Sequence, residues 1–243
     1  MQKLRLRYAK RGRLRFTSHR DIARAFERAL RRTGVPMAYS QGFNPHPKVS
    51  WVGAAPTGVA SEAEYVEIQV VEVIDPDVLR AELDGALPDG LDLIEVVVAR
   101  GGVLPDRIDA GQWRIDLPGV PVDRLRSAVD ALLTATSVEV QRLTKSGNRM
   151  IDVRPALVSA GVSEQSLSPR VSASSADDTY GILELVVRQT TPAVRPDDVL
   201  NALRVVAGLE PPVPAKATRM AQGRLDDVGR LSDPLAQDRA GEN

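Results

Sequence analysis

Apolar and polar residues alternate along the first segment of the chain. Residues 2–9, QKLRLRYA, place the two leucines and Tyr8 on one side and three basic residues on the other. This period of two predicts a half-buried strand with a basic outer face. Gly12 permits a turn and the alternation resumes over residues 14–16, so we expect a short hairpin at the start of the chain.

A helix with signals at both ends follows the hairpin. Ser18 is a suitable N-cap, and Asp21, three residues later, can complete a capping box. Gly34 stands where helices often end in a left-handed residue, just before Pro36. Apolar residues recur at helical spacing on the side that we expect to face the core, at Ile22, Phe26, Ala29 and Leu30.

The remainder of the first hundred residues predicts one α+β unit. A second helix begins at Pro76, and the near-continuous apolar sequence of residues 91–99 indicates a strand at the centre of a sheet. The alternating patterns between the helices predict strands over residues 35–41, 48–54 and 64–73. The order strand, helix, two or three strands, helix, strand suggests a ferredoxin-like βαββαβ unit with an extra strand.

The order of elements recurs beyond a glycine-containing linker at residues 101–111. The patterns predict strand 112–117, helix 121–134, strands 137–143, 149–153, 168–175 and 181–189, helix 196–206 and a short strand 213–218. We therefore predict an α+β fold of two tandem ferredoxin-like units with antiparallel sheets, over residues 1–100 and 112–219. Residues 220–243 are polar and poor in aromatic and β-branched side chains, which predicts a disordered C-terminal tail.

Charge is unevenly distributed, although the whole chain balances 32 basic against 32 acidic residues. The first fifty residues contain thirteen Lys and Arg but only two acidic residues, Asp21 and Glu27, which leaves an excess of eleven positive charges. This asymmetry indicates a polyanionic partner such as nucleic acid, or an acidic face of the chain itself. A basic face that is simply solvated is the plainer interpretation.

Two features of this basic region can bind an anionic partner. Arginines recur every three or four residues along the first predicted helix and form what we call the arginine stripe, which consists of Arg20, Arg24, Arg28 and Arg31. The second feature is the predicted loop at residues 42–47, which together with its flanking residues 39–41 and 48 we call the proline loop. Its two prolines restrict the residues before them, so Asn44 and His46 are held extended and the loop is stiff.

Composition excludes several kinds of chemistry. The chain contains no cysteine, so it cannot supply disulfides, thiolate zinc ligands, iron–sulfur ligands or a cysteine nucleophile. The N-terminus lacks the apolar region of a signal peptide, and no run approaches the roughly 18–20 apolar residues of a membrane span. We expect a cytoplasmic protein that has no membrane contact and no cofactor in this chain.

Residues 14–68 contain two distinctive motifs in close succession. FTSHRDIARAFERALRRTGVPMAYSQGFNPHPKVS is followed by GVASEAEYVEI. Together they resemble the radical-SAM-linked bacterial family, an uncharacterised domain that is fused to, or encoded beside, a radical SAM protein. The second half resembles this family more loosely, through IDVRP at 151–155 and Arg195-Pro196-Asp197 before a helix. The resemblance implies a radical SAM partner, and without cysteine in this chain the cluster domain must belong to another polypeptide.

We predict that the protein is a non-catalytic module that binds RNA or a ribonucleoprotein, as an accessory to the radical SAM enzyme. Arginines neutralise phosphates, and exposed aromatic rings can stack on unpaired bases. The plainer interpretation of each aromatic residue is a place in the core. The predicted contact residues are Arg20, Arg24, Arg28, Arg31, Tyr39, Gln41, Phe43, Asn44, His46 and Lys48.

Catalysis is an alternative function of the same region. His19 and His46, together with Lys48 and Ser18, can support metal-independent RNA cleavage by general acid–base catalysis. Each histidine can equally have a structural place, His19 at the start of the helix and His46 between the two prolines. The sequence alone does not decide between these interpretations.

Two further alternatives stay open. The histidines can form a metal site if a carboxylate such as Asp21, Glu64 or Glu67 is the third ligand, but no HxxxH or HxH spacing supports this and we predict no metal site. The basic end of the chain can also dock on an acidic surface of the radical SAM enzyme without any RNA.

Overall fold

The computed structural model describes residues 1–144, 147–166 and 179–240. These residues form a mixed α+β structure in which the strands of the main sheet pair mostly antiparallel, which confirms the α+β class and the antiparallel pairing. The predicted strand at 168–175 lies outside the described residues.

The chain divides into two compact units that are not consecutive segments of sequence. Unit 1 consists of Met1–Ile108, Arg219–Arg224 and the residues from Ser232 onward, and unit 2 consists of Asp109–Thr218 and Leu225–Leu231. The first passage between units falls at Ile108, inside the linker expected at residues 101–111. The sequence patterns instead place the C-terminal residues of unit 1 in the second unit or in the tail.

Unit 1 is a twisted sheet with two long helices. Its elements are β1 (Gln2–Lys10), α1 (His19–Arg32), β2 (Val49–Val52), β3 (Ala60–Val70), α2 (Pro76–Ala86) and β4 (Leu91–Val98). The strands lie in the order β4-β1-β3-β2, and each neighbouring pair is antiparallel. Residues 219–224, within β10 (Lys216–Leu225), also lie beside β3.

The two faces of this sheet are covered differently. Alternate residues of the strands, among them Leu6 and Ile68, pack against Phe26 of α1 and Leu79 of α2 in the larger core. The other face has a smaller cluster around Tyr65, which includes Val97, Leu104 and Leu235. Because side chains in a strand alternate between faces, the helices cover one face and segments following β4 cover part of the other.

Two predicted strands of unit 1 are wrong. Residues 12–16 form a 3-10 helix instead of a strand, since the chain turns where Leu14 N donates to Arg11 O at 3.1 Å. Residues 35–41 make only isolated bridges, Met37 with Val70 and Tyr39 with Pro47. Pro36 has no N–H to donate to a strand ladder, so the chain crosses the end of the sheet here.

The apolar strand at residues 91–99 is β4, and it lies at the end of the strand order rather than at the centre. Its composition has another cause. Leu93 and Val96 pack in the larger core while Val97 packs in the smaller cluster, so both faces of this strand are buried although one edge is unpaired in the described sheet.

Unit 2 contains strands of the main sheet, a separate hairpin and two helices. Its elements are β5 (Ala110–Leu117), α3 (Val122–Thr134), β6 (Glu139–Thr144), β7 (Gly147–Asp152), β8 (Leu157–Ser166), β9 (Thr179–Arg188) and α4 (Pro196–Ala207). Strands β5, β9 and β8 are consecutive in the main sheet, and among the described strands β6 pairs only with β7. Strand β8 was not predicted. Gly181 of β9 allows α3 to approach closely, because a Cβ there would lie 2.7 Å from the Leu125 Cδ2 atom.

The expected disorder from residue 220 is wrong for residues 220–240. After β10, the chain forms β11 (Leu231–Ser232) and the short helix α5 (Ala236–Arg239). Within unit 1, Leu235 and Asp238 are fully buried. Two anchoring residues in an otherwise polar segment are therefore enough to order it, and composition averaged over the segment missed them.

Candidate nucleic-acid interface

Helix α1 is oriented by its first turn and its apolar side. The Ser18 hydroxyl accepts a hydrogen bond from Asp21 N at 3.3 Å and donates to Asp21 Oδ2 at 2.6 Å, so the predicted cap forms. Ile22, Phe26 and Leu30 are buried against the sheet. The opposite side of α1, with the arginine stripe, therefore faces solvent.

All four arginines of the stripe are exposed. One ion pair touches the stripe within the described residues, a contact of 3.6 Å between Arg24 Nη1 and Asp21 Oδ1 on the same helix. Arg20, Arg28 and Arg31 have no carboxylate partner in the described part of the chain. The repulsion among these like charges is thus left almost entirely uncompensated by the fold.

The proline loop is closed by hydrogen bonds at its base. Ser40 N donates to His46 O at 2.8 Å, and His46 N donates to Ser40 Oγ at 3.0 Å. The bridge between Tyr39 and Pro47 lies directly below. Gly42 has φ of 130°, a value that side-chain-bearing residues rarely adopt. Hydrogen bonds between Ser40 and His46 therefore close the base of the loop, and its predicted stiffness stays a prediction.

Aromatic side chains of the loop project into solvent. Phe43 is fully exposed at the tip and Tyr39 is 56 % exposed. Gln41, Asn44 and His46 are exposed beside them. An uncovered phenylalanine forgoes its favourable burial, so this loop presents apolar surface that a stacked base or a protein partner can cover. The core interpretation does not apply to these two rings, whereas Trp51 and Phe26 pack in the larger core.

The two histidines have different surroundings. The His19 ring packs edge-on against Trp51 with centroids 5.2 Å apart, and Trp51 in turn contacts Phe26 and Tyr8. His46 is held by its backbone in the proline loop. Within the described residues, no hydrogen bond or ring contact joins the two imidazoles. The two histidines therefore lie in the same basic region of the sequence but make no direct contact with each other.

The sheet of unit 1 separates Lys48 from the arginine stripe. The arginine stripe belongs to α1, on the face of the larger core. Ser50 of β2 is the register partner of Glu67, and Gln69 N donates to Lys48 O at 3.1 Å, so by strand alternation Lys48 and Ser50 point to the opposite face. Within the described residues, no hydrogen bond, ion pair or ring contact links the stripe to the proline loop. The sequence did not predict this separation.

The carboxylates considered as metal ligands are occupied by basic residues. Glu64 is buried and accepts hydrogen bonds from Arg219 Nη2 at 2.6 Å and Ala55 N at 2.9 Å. Glu67 is paired with Arg5 and Lys3. Within the residues that the structure covers, no group of three His, Asp or Glu side chains is placed to hold a metal ion.

A buried ionic cluster surrounds Glu64. Lys10 Nζ donates to Ala55 O at 3.2 Å and to Pro56 O at 3.1 Å. Burial lowers the pKa of Lys10, against the opposing influence of the Glu64 charge. Burial, reinforced by Glu64, raises the pKa of Tyr8 well above its ordinary value. These groups are inaccessible and fix the segment before β3, so the EYVEI motif that begins at Glu64 contributes to structure here.

Residues 3–196 match the model of a bacterial protein family, which is most of the chain. The chain belongs to this family, DUF2344, described as uncharacterised proteins conserved in bacteria. A search of curated proteins found no match. The DUF2344 match includes the arginine stripe and the proline loop. It ends before the C-terminal segments that supply Arg219 and Asp238 to unit 1.

The IDVRP motif, also within the DUF2344 match, is a turn in unit 2. Asp152 accepts hydrogen bonds from Ser137 Oγ at 2.9 Å, Val138 N at 2.9 Å and Arg154 N at 3.1 Å. Burial raises the pKa of Asp152, but these hydrogen bonds outweigh it and hold the pKa below its ordinary value. The motif joins the β6–β7 hairpin to β8.

Sequence reasoning missed three residues that lie beside Lys48 on the open sheet face, namely Lys3, Ser50 and Gln69. The alternation in residues 2–9 already placed Lys3 on an outer face. Strand pairing between β1, β2 and β3 was needed to place the three residues together.

Among the described residues, no helix has the length and apolar character needed to cross a bilayer.

Proposed function

We propose that this DUF2344 protein is a non-catalytic module that binds RNA or a ribonucleoprotein in the bacterial cytoplasm. The observation that carries the proposal is the arginine stripe, a row of exposed like charges of which, among the described residues, only Arg24 has an ion-pair partner. Such a row destabilises a free helix, and phosphates are the ligand that would relieve it. The exposed Phe43 supports single-stranded regions as targets, because its ring can stack on an unpaired base.

We also propose that each unit has a ferredoxin-like arrangement. In unit 1 the order β4-β1-β3-β2, with its antiparallel pairs, supports this. In unit 2 the sequence β5, α3, β8, β9, α4 supports it if the β6–β7 hairpin is an insertion. A separately encoded radical SAM enzyme is the protein partner that we propose, on the resemblance of the SH and YSQGFNPHP motifs.

The test is a binding titration of a labelled pool of small structured bacterial RNAs at several salt concentrations. We compare the unaltered protein with the stripe variant Arg24→Gln, Arg28→Gln, Arg31→Gln. Each phosphate contact on a single strand contributes about 0.7 to the slope of log affinity against log salt concentration, so the stripe variant should lower the slope by about 2. Affinity at low salt should fall in parallel.

The matched control changes three exposed helical arginines of unit 2, Arg124→Gln, Arg126→Gln and Arg204→Gln. This control loses the same charge but should bind as the unaltered protein does. An equal loss of RNA affinity in both variants would show that total charge, and not the arginine stripe, controls binding, and it would contradict the proposal. If the unaltered protein binds no RNA at low salt, docking to the radical SAM enzyme without RNA becomes the function to test. Incubation of the same mixtures reports any cleavage.

A further inference from the structure

The open face of the unit 1 sheet carries a pocket at the base of the proline loop. Its volume is about 340 Å³, which is at the lower end of the roughly 300–1,000 Å³ typical of small-molecule sites. The polar residues that line it are Lys3, Lys48, Ser50, Glu67 and Gln69. It lies on the sheet face opposite α1, so it is separate from the arginine stripe.

Strand register arranges these side chains in two rows. Arg5, Glu67 and Ser50 are direct partners across β1, β3 and β2. Lys3 is the partner of Gln69, and Gln69 is bonded through its backbone N–H to Lys48 O. Directly opposed residues on one sheet face lie close enough for their side chains to interact. The pocket is thus built on the paired backbone of three strands, and the strand register determines which polar residues line it.

The charges of the pocket do not cancel. Glu67 accepts from Arg5 Nε at 2.9 Å and from Lys3 Nζ at 3.2 Å, so its carboxylate is already shared by two cations. Arg5 is held in addition by Asp238. Lys48 is exposed and has no ion-pair partner among the described residues, and the Ser50 hydroxyl makes no hydrogen bond there. One ammonium and one hydroxyl therefore remain available to a ligand.

We propose that this pocket binds the phosphate group of a single nucleotide, with Lys48 and Ser50 as its contacts. Lysine binds phosphate as a compact point charge, and a serine hydroxyl donates to a phosphate oxygen. The volume fits one nucleotide rather than a helical segment. The choice of a nucleotide among phosphate esters rests on the proposed RNA-binding function, whereas the phosphate site itself rests on the pocket.

Titration of the full-length protein with adenosine 5′-monophosphate, followed by NMR of backbone amides, tests this proposal. Resonances of Lys48, Ser50 and Gln69 should shift with AMP and stay in place with adenosine, which lacks the phosphate. Lys48→Gln should weaken AMP binding about tenfold, the effect of losing one charge-assisted hydrogen bond. Lys216→Gln, at an exposed lysine of unit 2, is the matched control and should leave AMP binding unchanged.

The arginine-stripe variant separates the two proposals, because it alters the opposite face of the sheet and should keep full AMP binding. If AMP shifts none of these resonances while RNA binds, the pocket proposal fails and the proposed function stands. If AMP binds but RNA does not, the phosphate site stands and the RNA function fails. Inorganic phosphate or acetate that binds as tightly as AMP would overturn the assignment to a nucleotide.

Discussion

Asp238 is a buried carboxylate that accepts hydrogen bonds from three different residues. Its carboxylate accepts from Arg5 Nη1 at 3.0 Å, from Arg107 Nη1 at 2.8 Å and from Arg100 N at 2.7 Å. Asp238 is fully buried and Arg5 is 2 % exposed. Desolvating such charges is expensive, and their attraction compensates only while every partner is present. This residue therefore determines whether the C-terminal segment stays on unit 1.

Asp238→Asn should lower the free energy of unfolding by about 3 kcal/mol, because it leaves Arg107 without its counter-charge and leaves the buried Arg5 with only Glu67, which Lys3 shares. Urea denaturation followed by circular dichroism measures the change. Asp227→Asn is the control, since Asp227 is exposed and lies eleven residues before Asp238, and it should alter stability by less than about 0.5 kcal/mol. A similar small effect for Asp238→Asn would mean that the cluster contributes little net stability.

These buried charges show what a single sequence leaves undetermined at the residue scale. Lys3, Arg5 and Arg7 alternate identically, and the pattern correctly assigns all three to one side of β1. Of the three, only Arg5 becomes fully buried, because the C-terminal segment that contains its partner Asp238 packs over it. That partner is 233 residues away in sequence. Periodicity gives the direction of a side chain. It contains no information on what a distant segment will place over it.

At the scale of elements, helices were predictable because their signals are local. The Ser18 cap and the apolar side of α1 are within one helix, and α1 spans the predicted residues. Residues 35–41 failed because alternation also occurs in a chain that crosses a sheet end. That prolines make the loop at residues 42–47 stiff stays a prediction. The position of Lys48 relative to the arginine stripe depends on strand order and was beyond local patterns.

Helix α1 gives a prediction that separates stability from binding. The change of Arg24, Arg28 and Arg31 to Gln removes like-charge pairs at three- and four-residue spacing, each unfavourable by about 0.2–0.5 kcal/mol. The loss of the exposed Arg24–Asp21 contact offsets little of this. The variant should therefore be as stable as the unaltered protein or up to about 1 kcal/mol more stable, by urea denaturation at low salt.

High salt is the internal control for this measurement, because screening should remove most of the difference between the two proteins. A clear loss of stability in the variant would indicate that the stripe has partners within the fold. Lower RNA binding would then report damage to the helix rather than loss of phosphate contacts. Unchanged or higher stability together with weaker binding is the combination expected of a ligand-binding surface.

At the scale of the whole molecule, unit 1 is completed by residues from the C-terminus. Arg219 supplies the ion pair to the buried Glu64, Leu235 enters the smaller cluster, and Asp238 binds Arg5. Sequence patterns locate boundaries where composition changes along the chain. They cannot reveal that a unit resumes after more than a hundred residues. The division into residues 1–100, linker and 112–219 therefore describes only the first point at which the chain leaves unit 1 for unit 2.

A fragment of residues 1–111, which ends where the sequence-based linker ends, should therefore fail to fold as an independent unit. It contains Glu64 and Arg5 without their buried partners Arg219 and Asp238, and each uncompensated charge costs several kcal/mol against a typical total of roughly 5–15 kcal/mol. Urea denaturation of the fragment should give a broad transition without a native baseline, and its amide protons should exchange rapidly. The chain cut after Ala240 keeps both partners and is the control, with the cooperative transition of the full protein. A fragment 1–111 that unfolds cooperatively at the midpoint of the full chain would show that the C-terminal contacts are dispensable, and unit 1 would then be complete without them.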